Sequence, residues 1–330
     1  MSQAVRFFPI RRVWRPVAWG VPTSALLLAA PYLFDPFQTL TLTYGLIAAI
    51  GALGFNLLLG YTGLLSFGHS AFFGTGTYTV AFLVKYLKIA SMELLLAGSV
   101  LASAIVSVLF GYVCVRYTRI FFGILTLALS QVLWSLAFKF YWVTGGTDGL
   151  RVPTPSLLGS APTNDKIEFL AHHYYYYVLA VFAICVLVMW VVVHSPFGKA
   201  LQAIRDNETR AEFIGIRVRR YRLIAFVISG IFTGLAGALW GPLNGLASPD
   251  ILEWPFSGEI IFMTVLGGFT TFVGPIVGAV AFTYLKTYAV GFTVYWHLLL
   301  GTVLLVLVLA LPTGITGTIQ HAVVRLRRSS

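Results

Sequence analysis

Val294-Tyr295-Trp296-His297-Leu298-Leu299-Leu300-Gly301-Thr302-Val303-Leu304-Leu305-Val306-Leu307-Val308-Leu309-Ala310-Leu311 runs for 18 residues without an Asp, Glu, Lys or Arg. At about 1.5 Å per helical residue it nearly fills a hydrocarbon layer of about 30 Å. Val17 to Phe34 and Leu94 to Val115 are equally free of charge. The whole chain is 58% apolar and only 10% charged, where a soluble domain carries roughly a quarter charged residues. Inside lipid the backbone must satisfy itself, as helices or as a closed barrel. Barrel strands would alternate apolar and polar over about ten residues. These runs are continuous and rich in Leu, Ala and Gly, so the reading is helical.

The formal charge of +11 resembles a nucleic-acid footprint, but its placement excludes one. The basic residues sit in short segments between apolar runs, the distribution that fixes orientation in polytopic membrane proteins. Cys114 and Cys185 each lie inside an apolar run, so they read as small buried side chains, without metal spacing or a disulfide framework. Arg6, Arg11, Arg12 and Arg15 precede the first run like a signal peptide's charged region, yet no clear A-x-A site follows. That run is read as an uncleaved first span.

Spans are expected at about 17–34, 39–59, 70–87, 94–115, 120–143, 174–193, 223–241, 252–268, 274–292 and 294–311. Ten crossings put both termini on one side. Arg6 to Arg15, Arg116 and Arg119, Lys199 to Arg222, and Arg325 to Arg328 then fall together, making 16 of the 22 Lys and Arg cytoplasmic. Reading 258–285 as one long span gives nine and sends Arg325, Arg327 and Arg328 outside. Gly267-Gly268 through Gly274-Pro275 supplies the break that avoids this. The expected organisation is a basic N-terminus over 1–16, one transmembrane domain over 17–311 and a basic tail over 312–330. Its two long loops are external at 144–173 and cytoplasmic at 194–222. The first ends in His172-His173 and the aromatic cluster Tyr174 to Tyr177, suited to a membrane interface; the histidine pair lacks a third ligand for a metal.

The cytoplasmic loop carries the clearest local pattern. Ser195 suits an N-cap, Pro196 a first helical position and Gly215 a stop. Phe197, Ala200, Leu201, Ile204 and Ala211 recur at helical spacing, opposite Lys199, Arg205, Asp206, Glu208 and Arg210. Such a helix either lies on headgroups or docks into a groove on a soluble partner. Two further segments, Gly60 to Gly76 and Gly267 to Gly278 with Thr270 and Thr271, are rich in small residues. They serve either close helix packing or a broken helix whose free backbone lines a pathway. Lys139 and Lys286 fall within or near outer span ends, where snorkelling explains them. Asp35, Glu93, Asp250, Glu253 and Glu259 all lie at or near span ends, which counts against a proton relay. No G-x-x-x-x-G-K-[ST] occurs, so the chain does not cradle ATP phosphates itself. His69, His194, His297 and His321 are scattered, and no catalytic cluster forms from them.

Four segments in order carry a family resemblance over roughly residues 35–312: Asn56-Leu57-Leu58-Leu59-Gly60-Tyr61-Thr62-Gly63-Leu64-Leu65-Ser66-Phe67-Gly68-His69-Ser70-Ala71-Phe72-Phe73-Gly74; Gly145 to Leu150; Ser195 to Ile216; and Gly267-Gly268 with Gly274-Pro275. Together they resemble permease subunits of branched-chain amino-acid ABC importers. The resemblance implies an all-α integral membrane fold of about ten transmembrane helices, with interrupted or re-entrant Gly-rich segments and a cytoplasmic amphipathic coupling helix. It implies a non-enzymatic subunit of the inner membrane, multi-pass with both termini cytoplasmic. The implied partners are a second homologous permease, two ATP-binding subunits that use ATP and magnesium, and an extracytoplasmic solute-binding protein. No cofactor is expected on this chain, and the solute is leucine, isoleucine or valine. Ser195, Phe197, Gly198, Ala200, Ile204, Arg205, Asp206, Asn207, Glu208 and Gly215 are the expected ATPase-coupling residues. Gly63, Ser66, Gly68, His69, Ser70, Thr270 and Thr271 are the expected pathway residues. Urea and short amides as solutes, or a secondary carrier or channel without ATPase partners, are the competing readings.

Overall fold

The computed structural model describes residues 25–159, 165–311 and 313–319. The basic arms Arg6 to Arg15 and Arg325 to Arg328, the beginning of the first expected span (17–24), Pro162 and His321 lie outside the described residues.

Helix α1 (25–33) leads across Asp35 to α2 (Pro36–Asn56), which Pro36 starts at a position where its missing N–H costs nothing. A π-helical turn, Leu57–Thr62, extends α2. Then follow α3 (His69–Leu87), α4 (Met92–Cys114), α5 (Arg119–Lys139), the single turns α6 (Tyr141–Thr144) and α7 (Lys166–Phe169), and α8 (Tyr175–His194). The second half contains α9 (Pro196–Asp206), α10 (Glu208–Phe213), α11 (Val218–Asn244), α12 (Trp254–Gly267), α13 (Gly274–Phe292), α14 (Trp296–Ala310) and α15 (314–319).

Among the described residues, seven helical stretches are long and apolar enough to cross a membrane: α2 with its π turn, α4, α5, α8 with its lead-in, α11, α13 and the stretch Trp296–Ile319 that begins with α14. The expected crossings at 70–87 and 252–268 are also helices, but they differ from the seven. The 14 residues of α12 span only about 21 Å, because the chain turns at Gly268 with φ +105°. That turn also separates α12 from α13, so 258–285 is not one long helix. For its part, α3 is rich in Gly, Ser and Thr and sits inside the bundle, with Phe72, Val80 and Ala81 fully buried.

The centre consists of α2, α3 and α11; α4 and α13 flank it. Small residues allow this closeness. On α4, Ser99, Ser103 and Ser107 are buried at four-residue intervals, while Leu101, Ile105 and Leu109 on the other face are 64%, 54% and 62% exposed. A Cβ on Gly76 of α3 would strike the backbone of Gly234 on α11, and one on Gly237 would strike that of Phe73 on α3. The two backbones touch at both places. Thr77 Oγ1 donates to the Gly237 carbonyl at 2.8 Å across this contact, and Ser99 Oγ ties α4 to α3 through the Gly76 carbonyl at 3.1 Å.

The loop expected over 144–173 is not free. Its strand β1 (Leu150–Arg151) pairs antiparallel with β2 (Leu246–Ala247), the segment after α11, in register Leu150 to Ala247. A further bridge joins Ser156 to Ser91 at the start of α4. Three connections at one end of the bundle are therefore stitched together.

Candidate coupling and translocation site

Ser195 caps α9 as its sequence suggests, accepting from the Gly198 amide at 3.4 Å. Leu201 and Ile204 are buried, Ala200 is half-buried, and Phe197 stacks on Tyr221 with ring centroids 5.6 Å apart. One helix to Gly215 is the sequence expectation, and here it is corrected. The helix stops at Asp206, and Asn207 turns extended (φ −161°, ψ 108°), its side chain accepting from the Arg210 amide at 3.0 Å to begin α10. A short side chain that bonds its own backbone competes with helix continuation, and it wins at this position. Gly215, at φ +88°, closes α10 two residues after its end.

The polar face divides into two groups. Lys199, Asp206 and Arg210 are exposed. Glu208 instead takes a two-pronged bond from the buried Arg222, at 2.7 and 2.8 Å, which fastens α10 to the root of α11. Arg205, although exposed, also bonds within the chain: its Nη1 donates to the Gly60 carbonyl, and its guanidinium lies 5.8 Å from the Phe269 ring. The sequence reading puts both charges on the polar face, and both keep exposed surface in the fold. It overlooked Phe213 and Ile214, which are 85% and 74% exposed at the end of α10. Two large apolar residues directly before Gly215, off the register of the buried face, were the available signal.

The first small-residue segment is a broken helix. Gly63, at φ +72°, ends the π turn in a conformation that disfavours other residues, and 63–68 is not helical. Ser66, Gly68, His69 and Ser70 are brought together and buried beyond the break. His69 Nδ1 lies 3.1 Å from Ser66 Oγ and Nε2 lies 2.7 Å from Ser229 Oγ, with Phe55 and Phe72 edge-on to the ring. The Ser70 amide donates to Ser257 Oγ at 2.8 Å. A Cβ on Gly68 would come within 2.5 Å of the Thr126 carbonyl. These four residues knot α3 to α5, α11 and α12.

In the second break, Thr270 is exposed and Thr271 Oγ1 sits 2.7 Å from Thr316 Oγ1 while accepting from the Gly274 amide at 3.1 Å. The two breaks meet. A Cβ on Gly60 would stand 2.5 Å from the Phe269 carbonyl, and the stem of Arg205 packs over Gly63. One arginine thus bridges the loop helix to both interruptions. A cavity of about 510 Å³ opens elsewhere, between α2, α12 and α13; none of the seven expected pathway residues lines it. Among the described residues, no three His, Cys, Asp or Glu converge as metal ligands; His173 stacks on Phe169.

Residues 39–309 match the family described as branched-chain amino acid transport system, permease component. The chain belongs to that family. Among this permease's relatives is the high-affinity branched-chain amino acid transport system permease protein LivM of Escherichia coli, 26% identical over 317 residues, covering 89% of this chain and 73% of the relative. LivM of Salmonella typhimurium is 28% identical, over 88% and 72% of the two chains. LivH of Salmonella typhimurium is 24% identical, over 84% and 92%. No solved structure matches the permease.

In this permease His69 is buried and hydrogen-bonded at both ring nitrogens. Replacing it by Ala strands the Ser229 hydroxyl, removes one of two partners of Ser66 Oγ and leaves a ring-sized void, at a cost of about 3 kcal/mol. Thermal unfolding of the His69→Ala protein in detergent should show a lowered midpoint, with uptake retained below it. An unchanged midpoint with uptake abolished would instead make the imidazole part of the pathway.

Proposed function

We propose that this permease conducts leucine, isoleucine and valine across the inner membrane as one half of a two-permease core. The second half is a homologous permease; two ATP-binding subunits supply the energy using ATP and magnesium, and an extracytoplasmic binding protein delivers the solute. The chain threads the membrane ten times, counting α1, α3 and α12 with the seven longer helices, and both termini are cytoplasmic. The α9–α10 pair is the coupling element: Phe213, Ile214, Lys199 and Arg210 face the ATPase, and Leu201, Ile204 and Ala211 face the bundle. Closure of the ATPase dimer displaces this element, and the displacement passes to the two helix breaks.

One observation supports this coupling above the rest: Arg205 reaches from α9 to the Gly60 carbonyl and to Phe269. A loop helix that only lay on headgroups would have no use for that bond.

The test is reconstitution of the permease with its partner permease and ATPase subunits in proteoliposomes. ATP hydrolysis and uptake should both rise when the binding protein carries leucine and stay basal when it is offered urea. Leucine uptake driven by an ion gradient without ATPase subunits would overturn the proposal.

A further inference from the structure

The cavity between α2, α12 and α13 holds an ion pair that the coupling mechanism does not use. Lys286 Nζ on α13 donates to both carboxylate oxygens of Glu259 on α12, at 2.6 and 2.8 Å. Both side chains are partly buried, with 34% and 21% exposure, and both line the cavity. The sequence reading placed Glu259 near a span end and let Lys286 snorkel to headgroups; the structure turns both toward each other and toward this space. Its other walls are mainly apolar, with Ile47, Phe73, Trp240, Phe256 and Met263 among them, and Tyr44, Thr283 and Thr287 add hydroxyl-bearing side chains. Phe73 packs on Phe256 and Trp240, with centroids 4.5 and 6.0 Å apart, and Phe282 is fully buried.

We infer that this cavity is a binding site for an aliphatic zwitterion within the permease itself, with Glu259 taking the ammonium and Lys286 the carboxylate. The inference rests on the proposed import of branched-chain amino acids and adds the site. Its volume of about 510 Å³ falls within the range of small-molecule pockets. Charge decides the solute class. The wall carries one positive and one negative group in contact, so a zwitterion docked antiparallel beside the pair completes an alternating set of four charges and adds no net charge to a low-dielectric site. A solute carrying a single charge leaves one group uncompensated, which is rejection by desolvation. Urea makes neither ionic contact and leaves the aromatic walls unfilled. A four-carbon side chain fills them and gains by leaving water.

The test uses the full chain in lipid nanodiscs, measuring equilibrium binding of radiolabelled leucine with leucinamide and isocaproate as competitors, one lacking the carboxylate and the other the ammonium. Both competitors should bind at least about 10-fold more weakly than leucine, and Glu259→Gln and Lys286→Met should each weaken leucine by about 10-fold or more. The double variant Glu259→Gln/Lys286→Met separates recognition from a merely structural pair. A recognition role keeps the double variant at least as weak as either single; recovery toward wild type overturns the site. Ala48→Phe projects a bulky ring into the cavity from its α2 wall and should weaken leucine binding by about 10-fold or more even where a charge variant does not fold. Leucine binding unchanged in these variants, or absent from the wild-type chain while the assembled complex imports leucine, sinks the site and leaves the transport proposal standing. Binding with the expected variant pattern, in a complex that imports no leucine, does the reverse.

Discussion

Gly76→Val and Gly237→Val should each prevent recovery of folded protein from membranes, whereas Gly301→Ala should behave as wild type. At Gly76 and Gly237 the new Cβ meets backbone of the facing helix, at Gly234 and Phe73 respectively, and no side-chain rotation can relieve that collision. The helices must part, and the bond from the Thr77 hydroxyl of α3 to the Gly237 carbonyl of α11 lengthens with them. Overpacking of this kind costs about 3 kcal/mol or more, a large share of the stability of any fold. Gly301 on α14 has open space where its Cβ would go, so it controls for glycine replacement as such. The measurement is monodisperse yield in detergent and the unfolding midpoint of what is recovered. Wild-type yield and midpoint for both valine variants would mean that α3 and α11 do not meet as described.

The second large effect is expected at Arg205. Under the proposed coupling, Arg205→Ala should lower ATP-driven leucine uptake by about 10-fold or more, the range set by losing one charge-assisted hydrogen bond. Association with the ATPase subunits should persist, because Phe213, Ile214, Lys199 and Arg210 are unaltered on the exposed side. Hydrolysis should continue but cease to respond to solute-loaded binding protein. Arg205→Lys keeps the charge yet loses the planar fork, so partial recovery is expected. Loss of subunit association in Arg205→Ala would return this side chain to the partner-facing role that sequence spacing suggested.

The contrast at Arg205 shows what the sequence could disclose. Apolar run length located α4, α5, α8, α13 and α14 to within a few residues, because burial in lipid acts on every residue of a run. The Ser195 cap and the Gly267-to-Gly274 interruption were legible too, since local chemistry fixes them. Long-range partners were not. Nothing near Arg205 points to Gly60, 145 positions earlier, and nothing near Lys286 points to Glu259. A charge pattern on one helix shows which side is polar; the tertiary fold decides whether solvent, a partner or the chain's own carbonyls receive it. Asn207 is an intermediate case, a recognisable cap residue hidden inside an otherwise continuous amphipathic pattern. For His69 the sequence offers a pathway candidate, and the fold adds what spacing does not disclose, its bonds to Ser66 and Ser229.

The β1–β2 pairing and the Ser91–Ser156 bridge have a mechanical consequence. They clamp the ends of α4, α5 and α11 on one side of the bundle, while the helix interruptions and Arg205 sit together elsewhere. A body clasped at one end and jointed at another does not slide as a block; it pivots, with the clasp as fulcrum and the helices as lever arms. Small displacements of α9 would then be magnified along the length of the bundle, and the clasped end would stay nearly still as a landing for whatever docks there.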